Sequence, residues 1–231
     1  MRKISCPRCG AGGVRQRGIS LIMVMLIMVL VVLTSLGASR SSFFNETVTG
    51  NEADYNRAYM AAEALVQDAQ LDINGQSAPG VVCINGCRPS GTPSLAQPTF
   101  PENTTEHDQL KAALAAAQCA QGICAPSVWP TNALPDNFWM TPATLAINTA
   151  RAATYGQFTG AVPAANGNPI LTANPSAGWY WVEVILFNAS GCAAGTGACP
   201  PINRPFVYRI TAVAKGKGNT IAVIQTFFTS N

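Results

Sequence analysis

The chain has 231 residues, 48% of them hydrophobic and only 11% charged, and a formal net charge of +3. Five of its 14 basic residues fall before residue 18; the remainder has 9 basic against 11 acidic residues, so the basic balance makes no case for nucleic-acid binding. Low charge with abundant Gly, Pro, Ala, Asn and Thr suits a loop-rich exported domain better than a cytosolic enzyme, while the aromatic and β-branched content excludes wholesale disorder.

The first element is apolar. Arg2, Lys3, Arg8, Arg15 and Arg17 precede it with no acidic residue among them, so the positive-inside rule keeps this end in the cytoplasm and exports the rest. From Ile19 to Leu36 only Ser20, Thr34 and Ser35 interrupt the apolar run. At about 1.5 Å per residue it forms roughly 27 Å of helix, close to the thickness of a bilayer core. Three readings stand. A secretory signal peptide needs a shorter apolar region and a small-x-small site at its far end, for which Ser35-Leu-Gly37 is a weak candidate. An ordinary uncleaved anchor is the second. The third is a leader cut on the cytoplasmic side, after the Gly of Arg15-Gln-Arg-Gly18.

The residues beyond the apolar run favour the third. No proline occurs between Pro7 and Pro79, and one helix is predicted to continue to about residue 74. Tyr55, Tyr59, Ala62, Val66, Ala69 and Ile73 are spaced by three or four residues and form a single stripe. Glu52, Asp54, Arg57, Glu63, Gln67, Asp68 and Asp72 are assigned to the solvated face. Between the two halves lies a polar join with Gly50, which weakens a helix by about 1 kcal/mol relative to Ala and predicts a kink or melted turn.

Residues 79–103 read as loop. Thr105 is the expected cap of a helix from Glu106 to about Gln118, and Thr141-Pro142 starts a second helix reaching about Ala153. Three strands come next: Trp179 to Phe187, apolar enough to be covered on both faces, then Phe206 to Ala214 and Thr220 to Thr229, joined by a turn at 216–219. The fold class is α+β, a long N-terminal helix packed on a C-terminal antiparallel meander.

The eight cysteines fall into two sets. Cys6 and Cys9 resemble half of a zinc-ribbon site, but a tetrahedral site needs four ligands and no partner pair lies on the same side of the membrane. No metal or other cofactor is expected. Cys83, Cys87, Cys119, Cys124, Cys192 and Cys199 read as a disulfide framework of an exported domain. Six cysteines allow 15 connectivities, among which clustering favours 83–87, 119–124 and 192–199.

No catalytic constellation is visible. The one histidine, His107, reads as an exposed helix residue, and there is no Gly-x-Ser-x-Gly motif. Glu102, Glu106 and Asp108 suit a helix N-terminus rather than a calcium loop. Trp179-Tyr-Trp181, on a strand, reads as core rather than a sugar-stacking platform.

Several segments together resemble the PilX family of minor type IV pilins: Gly18-Ile-Ser-Leu-Ile, Thr49-Gly-Asn-Glu-Ala-Asp-Tyr-Asn-Arg-Ala58, Ala61-Ala-Glu-Ala-Leu-Val-Gln-Asp-Ala69 and, near the C-terminus, Tyr208-Arg-Ile-Thr-Ala212 with Asn219-Thr-Ile-Ala-Val-Ile-Gln-Thr226. The resemblance covers about 80 residues at the two ends; residues 79–178 match nothing known to us. It implies the pilin roll and a leader of residues 1–18 removed by prepilin peptidase. It also implies an N-methylated Ile19, a spine helix over 19–74 (membrane-spanning to about 37) and a globular head over 75–231. Partners would be other minor pilins and the major pilin through the helix, the inner membrane and a large tip adhesin. Most pilins carry Glu five residues after the cut, where this chain has Met23, which implies a subunit at or near the pilus tip. Two alternatives remain: a minor pseudopilin of type II secretion, and a single-pass membrane-anchored binding protein.

Overall fold

The computed structural model describes residues 19–78, 80–84, 87–88, 91–125, 134–163, 167–173, 175–187, 200–201, 203–217 and 220–230. The chain divides into two compact units, Met1–Gly50 and Asn51–Asn231.

In the first unit the described residues are all helical and belong to α1, which spans Ile19–Ile73 without interruption at Gly37 or Gly50. The melted turn expected at Gly50 is absent. A glycine there costs about 1 kcal/mol, and intact backbone hydrogen bonds in the turns on either side carry that penalty. The large apolar side chains from Leu21 to Val48 are each 52–73% exposed; as far as Leu36 the helix is apolar all round, and among the described residues nothing in its own unit covers it.

In the second unit α1 contributes a buried face of Ala58, Ala61, Ala62, Leu65, Ala69 and Ile73, all at most 2% exposed. This corrects the predicted stripe in its first half. Tyr55 and Tyr59 are turned outward, 51% and 42% exposed, with ring centroids 6.5 Å apart. The reason is steric. The sheet brings Tyr180, Phe206 and Tyr208 into the same cluster, and small residues let a helix backbone approach such bulk where tyrosines would not. Leu65 abuts Gly178 so closely that a Cβ there would lie 2.9 Å from Leu65 Cδ1.

Among the described residues the main sheet has six strands. β1 (Gln76–Ser77) and β2 (Val81–Val82) form a separate small hairpin beyond α1. Then come α2 (Thr104–Ala113), β3 (Cys119–Ala120), β4 (Ile123–Cys124), a 3-10 turn at Phe138–Met140, α3 (Pro142–Thr149) and β5 (Ala153–Thr154). The long strands are β6 (Gly178–Leu186), β7 (Phe206–Lys215) and β8 (Ile221–Phe228). The order is β3-β4-β6-β7-β8, with β5 also against β6. The three long strands form the expected antiparallel meander, paired from Gly178↔Ala214 to Leu186↔Phe206 and from Tyr208↔Phe228 to Lys215↔Ile221. The β4–β6 pairing is parallel and was not legible in the sequence.

Strand alternation builds two cores. Tyr180, Val182 and Val184 of β6, with Tyr208, Ile210 and Ala212 of β7, face α1. Trp181 and Val213 face away, under Leu134, Phe138 and Leu145 from the segment around α3. That double coverage explains the continuous hydrophobicity of β6. The helix starts differ in accuracy. Pro142 opens α3 as predicted, with Thr141 at the cap in an extended conformation. The cap of α2 is Asn103 rather than Thr105: its side chain accepts from Glu106 N, and Glu106 returns bonds to Asn103 Nδ2 and Glu102 N. Both helices end before the predicted limits: α2 gives way at Leu114 to turns that lead to a left-handed Gln118, φ 61°, and Ala153 is taken up as a strand residue.

Candidate functional site

Two regions carry the residues that matter. One is the start of α1. Gly18 lies outside the described residues; Ile19 is the first residue of α1, and Met23, 60% exposed, stands within its apolar half. That half is long and apolar enough to cross a bilayer.

The other is a set of buried polar side chains that hold the head to α1. Asp72 sits seven residues on from Leu65, nearly in line with it on a helix of 3.6 residues per turn, and therefore faces the sheet. Arg88 Nε donates to both Asp72 oxygens at 2.9 Å, and its Nη2 is 2.8 Å from Oδ2. The same Nη2 donates to the Gln121 carbonyl at 2.8 Å, and the Tyr180 hydroxyl donates to Asp72 Oδ2 at 2.9 Å. The Arg88 guanidinium lies 3.7 Å from the Phe158 ring centroid and 5.1 Å from that of Phe100. With side chains 6% and 1% exposed, Arg88 and Asp72 form a buried pair joining α1, the 80s loop, the β3–β4 turn and β6. Burial raises the Asp72 carboxyl above its ordinary value, and Arg88 and the two hydrogen bonds pull it back. Tyr180, beside that carboxylate and fully buried, is pushed well above 10 and stays a donor.

One turn earlier, Asp68 accepts the Gly156 N–H at 2.8 Å and the Thr159 hydroxyl. Asp68 and Asp72, 2% and 4% exposed, are therefore not on the solvated face as the sequence suggested. Their helical spacing from Leu65 and Ala69 was the available signal; their charge obscured it. Glu183 and Arg209, opposite each other in the β6–β7 register, form a second buried pair, Nε to Oε2 at 2.6 Å, on the α3 side of the sheet. His107 is also buried, 5% exposed and stacked on Phe206, which corrects its assignment as an exposed residue; burial lowers its pKa and keeps the imidazole neutral.

Asp68 gives a pH-dependent prediction. Burial raises its pKa above the ordinary value despite the Thr159 and Gly156 hydrogen bonds, and nearby Asp72 adds to the rise. The native state thus holds this proton more tightly than the unfolded chain. The stability it contributes is complete below its unfolded value of about 3.9 and is lost as pH rises through the native value. Asp68→Asn can keep both hydrogen bonds, its oxygen accepting from Gly156 and its amide donating to Thr159. The parent's melting temperature should therefore fall further between pH 4 and 7 than that of Asp68→Asn, in thermal unfolding of the detergent-solubilised chain. Equal falls would count against a carboxyl titrating in that window.

Two of the expected disulfides are present. Cys83–Cys87 has its Cα atoms 5.9 Å apart and Cys119–Cys124 4.1 Å. Cys192 and Cys199, and the leader pair Cys6 and Cys9, lie outside the described residues.

The PilX N-terminal family matches residues 17–66, and the type IV pilus assembly protein PilX C-terminal family matches residues 87–230. The chain belongs to the PilX family. The C-terminal match takes in most of the middle segment that sequence resemblance alone left unassigned. No curated protein and no solved structure matches the chain. As a PilX-family protein it is a minor pilin of type IV pilus assembly, a membrane-anchored structural component that assembles at the cell surface with other pilus subunits. Its fold has the parts this role requires: a helix with a bare apolar half, and a disulfide-bearing α+β head.

Proposed function

We propose that this minor pilin joins a minor-pilin complex at the pilus tip, primes fibre assembly and presents a large adhesin there. The leader of residues 1–18 is removed after Gly18 by prepilin peptidase, Ile19 is methylated, α1 anchors the subunit with its N-terminus cytoplasmic, and the head is periplasmic before assembly. Residues 19–74 then act as the spine and 75–231 as the displayed head.

The observation that carries the tip assignment is Met23. Type IV pilins, by resemblance, place Glu at this position, where its carboxylate neutralises the N-terminal charge of the subunit ahead during docking. A lone acid in a membrane helix is costly, up to about 2.5–3.5 kcal/mol at the helix centre and less toward its end, so it is retained where the pairing is used. Met23 escapes that cost and gives up the pairing, which suits a subunit with none ahead of it.

Two measurements test this. Deletion should sharply reduce pilus number rather than pilus length, counted by electron microscopy. Fluorescently labelled protein should appear as one focus at a fibre end. Uniform labelling along the shaft would reject the tip assignment and leave membership of the pilus intact.

A further inference from the structure

The sheet ends differently at its two edges. On one side it closes with β3, two residues long and tied to β4 by Cys119–Cys124. On the other it ends at β8, eight residues in unbroken register with β7, and among the described residues nothing else pairs with β8. A bare edge of this length presents a row of N–H and C=O groups that template pairing with another chain, and proteins ordinarily guard it with Lys, Pro or a bulge. From Ile221 to Phe228 there is no charged residue and no proline, and the register has no bulge. One edge is stapled shut and the other is left open.

Beside the open edge lies a groove of about 400 Å³ lined by Tyr59, Glu63, Val66 and Gln67 of α1 with Ile224 and Thr226 of β8. A strand added next to β8 would turn every second side chain toward α1, into this groove. Its chemistry selects the occupant. The backbone edge requires an extended segment, Tyr59 and Val66 favour apolar or small side chains, and Glu63, the one charged residue lining the groove, calls for Lys or Arg. A second copy of this chain does not answer that pattern: β8 has no basic residue to offer, and the opposite edge strand, β3, is only two residues long.

Resting on the minor-pilin reading above, we propose that β8 and the Glu63 groove accept an extended, basic segment from a different pilus subunit, which adds a strand to the sheet. The β8 edge is then an assembly surface in its own right, separate from the apolar half of α1.

The test uses the full-length chain in piliated cells, with a photo-crosslinking residue at Gln225 of β8 or, in parallel, at Leu26 in the apolar half of α1. The Gln225 probe should give an adduct with a different pilus subunit. Glu63→Lys and Thr226→Lys, one reversing the groove's charge and the other guarding the edge, should each lower that yield at least about tenfold while Leu26 adducts persist. Amide exchange on β8 should also be slower in sheared pili than in the membrane pool, which tests the edge without any substitution. Leu26 adducts without a Gln225 adduct, a Gln225 adduct to a second copy of this chain, or equal exchange in the two pools would each overturn the proposal. Loss of pilus-subunit adducts at both positions would overturn the minor-pilin reading and this inference with it.

Discussion

Asp72→Ala should destabilise the head by about 3–5 kcal/mol, a large share of the 5–15 kcal/mol that holds a typical domain folded. The size follows from the groups left unpaired. Arg88 keeps its charge in a site where its side chain is 6% exposed, its Nε loses both acceptors, and its Nη1 already has no partner among the described residues. The Tyr180 hydroxyl, fully buried, loses its acceptor as well. The cost is therefore that of an uncompensated buried cation and an orphaned donor, which exceeds the net worth of the pair itself. A double variant, Asp72→Leu with Arg88→Met, should recover most of the loss, because methionine can keep the packing on Phe158 and neither charge remains. Thermal unfolding of the full-length chain in detergent, followed by the intrinsic fluorescence of its four tryptophans, of which Trp181 is fully buried, measures both. A single-variant loss under about 1 kcal/mol, or a double variant no better than the single, would show that the pair is not what ties α1 to the 80s loop.

How far this arrangement was legible depends on the signal each residue type gives. The long strands and the α3 start were readable because eight- to ten-residue runs rich in β-branched and aromatic residues, and a Thr-Pro pair, have few competing explanations. The near-neighbour cysteines likewise foretold the 83–87 and 119–124 bridges. The two-residue strands β3, β4 and β5 were not readable. Strands so short have no period, and the pairing of β4 and β5 with β6 is fixed by tertiary contacts such as the Val182 N–H to the Gly122 carbonyl at 2.6 Å. The buried faces of α1 failed differently. Asp68 and Asp72 have the right helical phase for the core but the wrong polarity. A buried carboxylate is readable only once its partner is known, and here the partners, Arg88 and Thr159, lie 16 and 91 residues away in loops. Tyr55 and Tyr59 failed in the opposite sense, apolar enough for the stripe but too large for the close approach that Ala58, Ala61 and Ala62 permit.

Gly18→Asp should abolish incorporation into pili altogether. The resemblance to prepilins implies a peptidase that demands glycine immediately before the cut, where the absence of a Cβ lets the backbone come close to catalytic groups. The bond concerned directly precedes α1, which begins at Ile19, so a cut there would separate the charged leader from the apolar helix at their junction. Retention of the leader leaves Arg2, Lys3, Arg8, Arg15 and Arg17 attached to the membrane end of α1. Taking one such charge into a bilayer core costs about 2.5–3.5 kcal/mol, and five together exceed the roughly 12 kcal/mol of a nanomolar interface. Packing against neighbouring subunits therefore cannot draw the precursor out of the inner membrane. The variant should accumulate there as a species about 2 kDa heavier than the mature chain, the mass of eighteen residues at this chain's average, and should be missing from sheared fibres. The parent protein should begin at a methylated Ile19 when sequenced from pili. A Gly18→Asp chain of mature size in the pilus fraction would eliminate the leader reading, and with it the use of Met23 as the fifth mature position.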